Sequence, residues 1–271
     1  MDQAHRPGRA AYWLTAIWFG FKARIVYRLS AWLGPISIVT TFLIQVMIWR
    51  ALLGGGARFG TTFEEMLTFA VITQFMSGLV ESFSGNTLSR LIRTGDIVIY
   101  LVRPIRLKQH LFLGDLGKNL FTAFCLNGPV FVILLAVWGG VFPQDPRIVA
   151  MSALMLALGV VMLFHYRYLL GLVSFWLIQN PFTSWHFQNA ETILSGNVLP
   201  LWLCPAWLST LTLFLPFRYF TYEPIALFIG KTRLEDAGRV LLIQLLWAAA
   251  LVLLERVVSK RAINKLVVQG G

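Results

Sequence analysis

The chain has 271 residues, of which 57% are apolar or aromatic and 13% are Asp, Glu, Lys or Arg, about half the ~25% charge of an average soluble domain. With a mean hydropathy of +0.70, this excludes a disordered chain and argues against a soluble globular enzyme. The net charge of +11 would point to nucleic acid in a soluble protein, but in an apolar chain Lys and Arg first set membrane topology.

The polar first decapeptide lacks the clean apolar core and small-residue cleavage site of a secretory signal, so no cleavage is expected. Residues 11–30 interleave Trp13, Trp18, Phe19, Phe21 and Tyr27 with Lys22, Arg24 and Arg28, which reads as a helix lying along the membrane interface. The alternative is a ragged start to the first span. Crossing about 30 Å of hydrocarbon takes roughly 20 apolar residues. Spans are expected at 32–53, at 62–83 with Thr62 and Glu65 as a capping box, and at 120–138. After the Gly139, Gly140, Pro143 and Pro146 turn, a fourth span runs over 147–164 and is ended by His165, Tyr166 and Arg167. A fifth apolar stretch covers 172–199, with Asn180-Pro181 as a rival turn, and the last span is 240–254.

Between the second and third spans, residues 86–103 are too short and charged to cross. Leu88, Leu91, Ile92, Gly95, Ile99 and Val102 recur at helical spacing, with Arg90, Arg93, Asp96 and Arg103 largely elsewhere. Such an amphipathic helix lies on lipid or docks in a groove of a soluble partner. Residues 200–230 hold Pro200, Pro205, Pro216 and Pro224, with Arg218 and Glu223 between. Proline breaks a helix interior, so two short helices, 202–215 and 217–229, are expected to dip into the membrane and return. Six spans then place both termini on one side, together with most of the 23 basic residues. These include Arg6, Arg9, Lys22, Arg24 and Arg28, then Arg90, Arg93, Arg103, Arg106, Lys108 and Lys118, then Arg167, and finally Arg256, Lys260, Arg261 and Lys265. Positive charge marks the cytoplasmic side, so both termini are expected there, and nucleic acid is not needed to explain the charge.

Chemistry-bearing motifs are sparse. Gly230-Lys231-Thr232 ends like a phosphate-binding loop, but Ile225 stands where that loop needs glycine. Gly117-Lys118 is followed by Asn119 and fails as well. Ser77-Gly78, Ser84-Gly85 and Ser195-Gly196 lack the glycine that an intramembrane serine nucleophile motif carries two residues before its Ser. Small residues in spans ordinarily serve helix packing. Two cysteines and four scattered histidines give no metal spacing, and His165 and His186 are remote from acids in sequence. No catalytic residue and no bound cofactor or metal is expected. Ionisable groups inside a membrane cost roughly 2.5–3.5 kcal/mol on insertion scales. Glu81 and Glu191, with Gln45, Gln74, Asn127, Asn189 and Asn197 as polar companions, are therefore the candidates for a substrate path or an inter-helix network, and all but Asn127 are assigned to a translocation path. A hydrated helix end is the alternative for Glu81.

The order of these segments, with two stretches in particular, resembles the membrane subunit of the bacterial type-2 ABC exporter family, in a branch of small permeases. The stretches are Arg93-Thr-Gly-Asp-Ile-Val-Ile-Tyr-Leu-Val-Arg-Pro104 and the series from Leu194-Ser-Gly-Asn-Val-Leu-Pro-Leu through Leu215-Pro-Phe-Arg-Tyr-Phe-Thr-Tyr-Glu-Pro224 to Gly230. The resemblance covers nearly the whole chain. It implies a single all-α permease domain over 1–271, with six spans, an interfacial first helix, a cytoplasmic coupling helix and an outer re-entrant hairpin. It also implies pairing with a second copy or a paralogous permease, and with two copies of a cytosolic ATPase that carries the ATP and Mg. Arg90, Arg93, Gly95, Asp96, Arg103 and Pro104 would then serve ATPase coupling in the bacterial inner membrane. Asp96 follows Gly95 directly, where the wider family often places its acid one residue later. A lipid-acting enzyme lacks clustered His, Asp or Ser here, and a secondary transporter predicts an internal repeat that is not visible. A membrane scaffold stays open.

Overall fold

The computed structural model describes residues 9–26, 28–53, 60–81, 83, 86–101, 107–173, 175–176 and 181–269. The described residues are helical nearly throughout and hold no β-strand. Helix α1 (Arg9–Val26) leads into α2 (Arg28–Leu53), then α3 (Phe63–Val80), the short α4 (Asn86–Thr94) and α5 (Ile97–Leu101). Next, α6 (Leu107–Leu120) runs through a π-helical segment, Phe121–Asn127, into α7 (Gly128–Trp138). Helix α8 (Pro146–Val173), α9 (Pro181–Leu194), α10 (Ala206–Leu213), α11 (Tyr222–Phe228) and the long α12 (Leu234–Gln269) follow.

Among the described residues four helical stretches are long and apolar enough to cross a membrane: 36–53, 107–138, 146–173 and 234–262. They coincide with the expected first, third, fourth and last spans, and the last three of them are longer than the sequence pattern proposed. The fourth does not stop at residue 164. His165, Tyr166 and Arg167 sit inside α8 because His165 and Arg167 find acidic partners there and need not reach water. The expected fifth stretch, 172–199, is not one helix: α8 ends at Val173 and α9 starts at Pro181. A proline at the first helical position loses no hydrogen bond and presets φ, so the Asn180-Pro181 dipeptide marks the helix start. At 14 residues, α9 is about 21 Å long. The expected second span contains α3, whose N-terminus carries the anticipated capping box between Thr62 and Glu65.

The π-helical turn has a local cause. Pro129 has no N–H, and its ring crowds the carbonyl four residues back. The widened turn just before it absorbs the conflict, and the Gly128 N–H reaches Ala123 O instead. In the 200–230 region α10 and α11 are shorter than the expected helices. Pro200, Pro205 and Pro216 each precede a helical turn as its cap residue, which divides the stretch into four pieces. Pro224 lies in the first turn of α11, where its missing N–H would have no intrahelical partner anyway.

Helix α8 is the centre of the packing. Met162, Leu163 and Phe164 sit with Met76 and Phe83 from the α3 side and with Phe220 and Leu251. Backbones approach closely where glycine allows it. A Cβ on Gly159 would lie 2.0 Å from Phe220 O, and one on Gly78 would lie 2.3 Å from the Asn127 amide. The same device joins α1 to α6. A Cβ on Gly20 would meet Gly114 O at 2.1 Å, and one on Gly117 would meet Ile17 O at 2.0 Å. The other side of α1 leaves Trp13, Leu14, Trp18 and Phe19 exposed.

Candidate functional site

Two regions at opposite ends of α2 and α3 hold most of the sequence-selected residues. The first is built on α4. Leu88 and Leu91 are buried, and pack with Ile97, with Leu172 at the end of α8 and with Ala262 of α12. Arg90 and Thr94 stay exposed on the other side of the helix. Gly95 has φ +78°, a conformation that glycine adopts without strain. It stops α4 and lets α5 start two residues later. Asp96 is exposed, and its carboxylate lies 2.7 Å from Thr94 Oγ1. Arg93 lies on α4, but its side chain, like Arg103 and Pro104 entirely, is outside the described residues.

Behind α4 a set of ion pairs joins the long helices. The Arg167 guanidinium makes two bonds to Glu191, 3.0 and 3.2 Å, and its third nitrogen donates to Val80 O at 2.9 Å. Val80 ends α3, so the cation meets a carbonyl without an intrahelical partner at the negative end of the helix dipole. Glu191 is only 2% exposed. One residue pair thus ties α8, α9 and the end of α3 together, directly ahead of α4. In parallel, Glu255 of α12 pairs with His165 of α8 and, at 2.8 Å, with Lys108 of α6. Glu81 caps α3, is half-exposed, and pairs at 2.6 Å with Arg24 of α1.

At the other end, Lys231 binds Glu65 at 2.7 Å and Gly60 O at 2.7 Å. The lysine of the Gly230-Lys231-Thr232 sequence therefore clasps the α2–α3 connection to the segment after α11. Trp202 donates to Thr61 Oγ1 at 3.1 Å in the same cluster. Arg218 pairs with Glu223, donates to Ser209 O at 3.2 Å and stacks 4.9 Å from the Tyr222 ring, which ties the proline-divided pieces together. Asn197 accepts a 2.7 Å bond from Thr221. Gln45 lines a cavity beside Trp202.

The six polar residues proposed for a path therefore do not form one line. Gln45 is at the cavity, Asn197 braces a turn, Glu81 is at a helix end and Glu191 is in an ion pair. Gln74 lies partly buried on α3, and Asn189 keeps a buried, unpartnered Nδ2 on α9. Sequence reading missed the Lys108–His165–Glu255 and Lys231–Glu65 groupings, because their members are up to 166 positions apart, as Glu65–Lys231 shows. The usable signal was a charge inside an otherwise apolar helical run, as at Arg167 and Glu255.

Among the described residues no cluster of His, Cys, Asp or Glu could hold a metal ion. A search of curated proteins gives no match. A sequence model of the family described as ABC-2 family transporter protein matches residues 29–270.

Proposed function

The chain belongs to the ABC-2 family of transporter proteins, and from that premise we propose that it is the transmembrane subunit of an ATP-driven exporter, coupled through α4 to a separate cytosolic ATPase. The family makes it a multi-pass membrane component of an ABC transporter. Export, the six-span topology with α3 and the 172–199 stretch that contains α9 as further crossings, and cytoplasmic termini in a bacterial inner membrane belong to the proposal. So does an assembly of two permease copies, or of paralogues, with two ATPases that bind the ATP and Mg.

The observation that carries the reading is the construction of α4. It is a nine-residue helix, with a buried leucine face on the ends of α8 and α12 and with Arg90 and Thr94 exposed on the other side. A protein cleft can seat such a helix, and the Arg167 clasp at Val80 gives its displacement a mechanical route into α3, α8 and α9. Closure of the ATPase pair would bias the permease toward one of two arrangements, to the extent that the two states are bound with different affinity. In this reading Arg90, Arg93, Gly95, Asp96, Arg103 and Pro104 form the coupling region. Residues 200–230 form the outer re-entrant hairpin, braced by Arg218 and Glu223.

The test is affinity purification of the tagged permease from its native host in mild detergent. A soluble subunit with a complete phosphate-binding loop is expected in near-stoichiometric amount, with ATPase activity. Arg90→Glu is expected to lose the partner at unchanged permease yield. A clean permease with no ATPase overturns the reading.

A further inference from the structure

Lys108, His165 and Glu255 meet at one carboxylate oxygen. Glu255 Oε2 lies 2.8 Å from the Lys108 ammonium and in contact with His165 Nδ1, and that ring nitrogen lies 3.2 Å from Lys108 Nζ. The three come from α6, α8 and α12. Three positions on from them stand Leu111, Tyr168 and Val258, which pack on the cluster that seats α4, and residues three apart share a helix face. The triad therefore ties together the helices under α4, apart from the Arg167 clasp.

The other charges nearby are engaged elsewhere or exposed. Arg167 is held by Glu191 and Val80 O, and Arg90 on α4 is exposed. Lys108 and His165 are the basic groups that act on Glu255, and Tyr168 is a further titratable side chain beside it. His110, also on α6, faces Tyr12 of α1 and Tyr100 of α5.

One ring nitrogen cannot serve both partners. With its lone pair on Nδ1, a neutral His165 accepts from Lys108. A charged ring carries hydrogen on both nitrogens, so Nδ1 then donates to Glu255, and the ammonium faces a second cation. Like charges this close disfavour each other. The members differ in how they can respond. Side-chain exposure is 34% for Lys108, 12% for His165 and 4% for Glu255, so Lys108 is the one with water in reach.

We propose that His165 is a proton-binding switch in the seat of α4: on taking up a proton it keeps Glu255 and sends Lys108 to water, which unties α6 from α8 and α12. The α6 tie is thus present with the ring neutral and lost as pH falls, whereas the α8–α12 tie persists. Where α4 passes ATPase closure to the spans, as in the transporter reading, acid would weaken that transmission. The tie itself needs no ATPase. The test therefore uses the full-length permease alone, so that its failure and a missing ATPase are separate results.

Amide hydrogen exchange is measured in lipid nanodiscs from about pH 8 to about pH 6, a range in which histidine ordinarily changes charge, and is corrected for the intrinsic pH dependence of exchange. Protection over 111–116 is expected to fall about fivefold at the acid end, the size of one ordinary hydrogen bond, while α8 and α12 keep theirs. His165→Gln should hold the high protection at both ends. Lys108→Met should show the low protection at both ends, and it carries the test with the parent protein if the glutamine variant fails to fold. His110→Gln should behave like the parent. A parent protein without the pH response overturns the proposal, as does a response that survives in His165→Gln or Lys108→Met. A response lost in His110→Gln would assign it to the Tyr12 contact instead, and an equal loss of protection in α8 and α12 would make it general acid loosening.

Discussion

Arg167 illustrates how one side chain governs several elements. It compensates the buried Glu191 charge and satisfies the end of α3. Removing one member of a buried pair leaves the other charge stranded, which costs about 3–5 kcal/mol. Arg167→Met should therefore lower the unfolding midpoint in detergent strongly, and Arg167→Met with Glu191→Met should recover most of the loss. A double variant no better than the single one would show that the backbone contacts at Val80 and Phe83 dominate. Gly159 makes a different prediction. Its missing Cβ leaves room for Phe220 O, so Gly159→Ala should overpack the α8 contact and cost about 1–3 kcal/mol. The comparison is Gly238→Ala, where a Cβ meets nothing within 4 Å. That change should be neutral or stabilising, because alanine is the better helix former by about 1 kcal/mol.

At the scale of elements, α4 is held by few residues. Leu88 and Leu91, with Ile92 beside them, dock it on α8 and α12, while Arg90 and Thr94 face outward. Leu88→Ala is expected to cost about 2–5 kcal/mol, but locally. Hydrogen exchange should speed up over 86–94 and stay slow over 234–262. Uniform acceleration across both would instead make α4 part of the global core. Elements were also where sequence reading met its limit. The helical period over 86–94, the capping box at Thr62 and the prolines at 200–230 were legible because each acts within a few residues; the one period expected over 86–103 is broken at Gly95 into α4 and α5. The end of α8 was not. A charged cluster in an apolar run reads as a helix end when its partners are unknown, and the partners of His165 and Arg167 lie at Glu255 and Glu191. The π turn was equally hidden, although Pro129 is its local cause.

For the whole molecule, composition sufficed to show a helical membrane protein, and four stretches match it by length and apolarity. Sidedness is decided by charge distribution, and it yields a direct prediction. With Cys125 replaced by serine, a membrane-impermeant maleimide should label Cys204 in intact cells. A cysteine placed at the exposed Asp96, with Cys204 also replaced, should react only after permeabilisation. The reverse pattern would invert the topology. The candidate site was half legible: the α4 region follows from its sequence, whereas the cavity wall combines residues from Gln45 to Leu203 and no local pattern joins them.

The glycine seam between α1 and α6 also bears on how the protein is made. Gly20 meets Gly114, and Ile17 meets Gly117, yet the ribosome reaches the second glycines long after the first helix has emerged. At about 5–20 residues per second, α1 has no docking surface for roughly 5–20 s of synthesis. The face around Ile17 and Gly20 must be sheltered by lipid or a chaperone during that interval. The first helix of the chain is thus among the later ones to find its place, and a ribosome stalled before residue 107 would release a segment still in search of its groove.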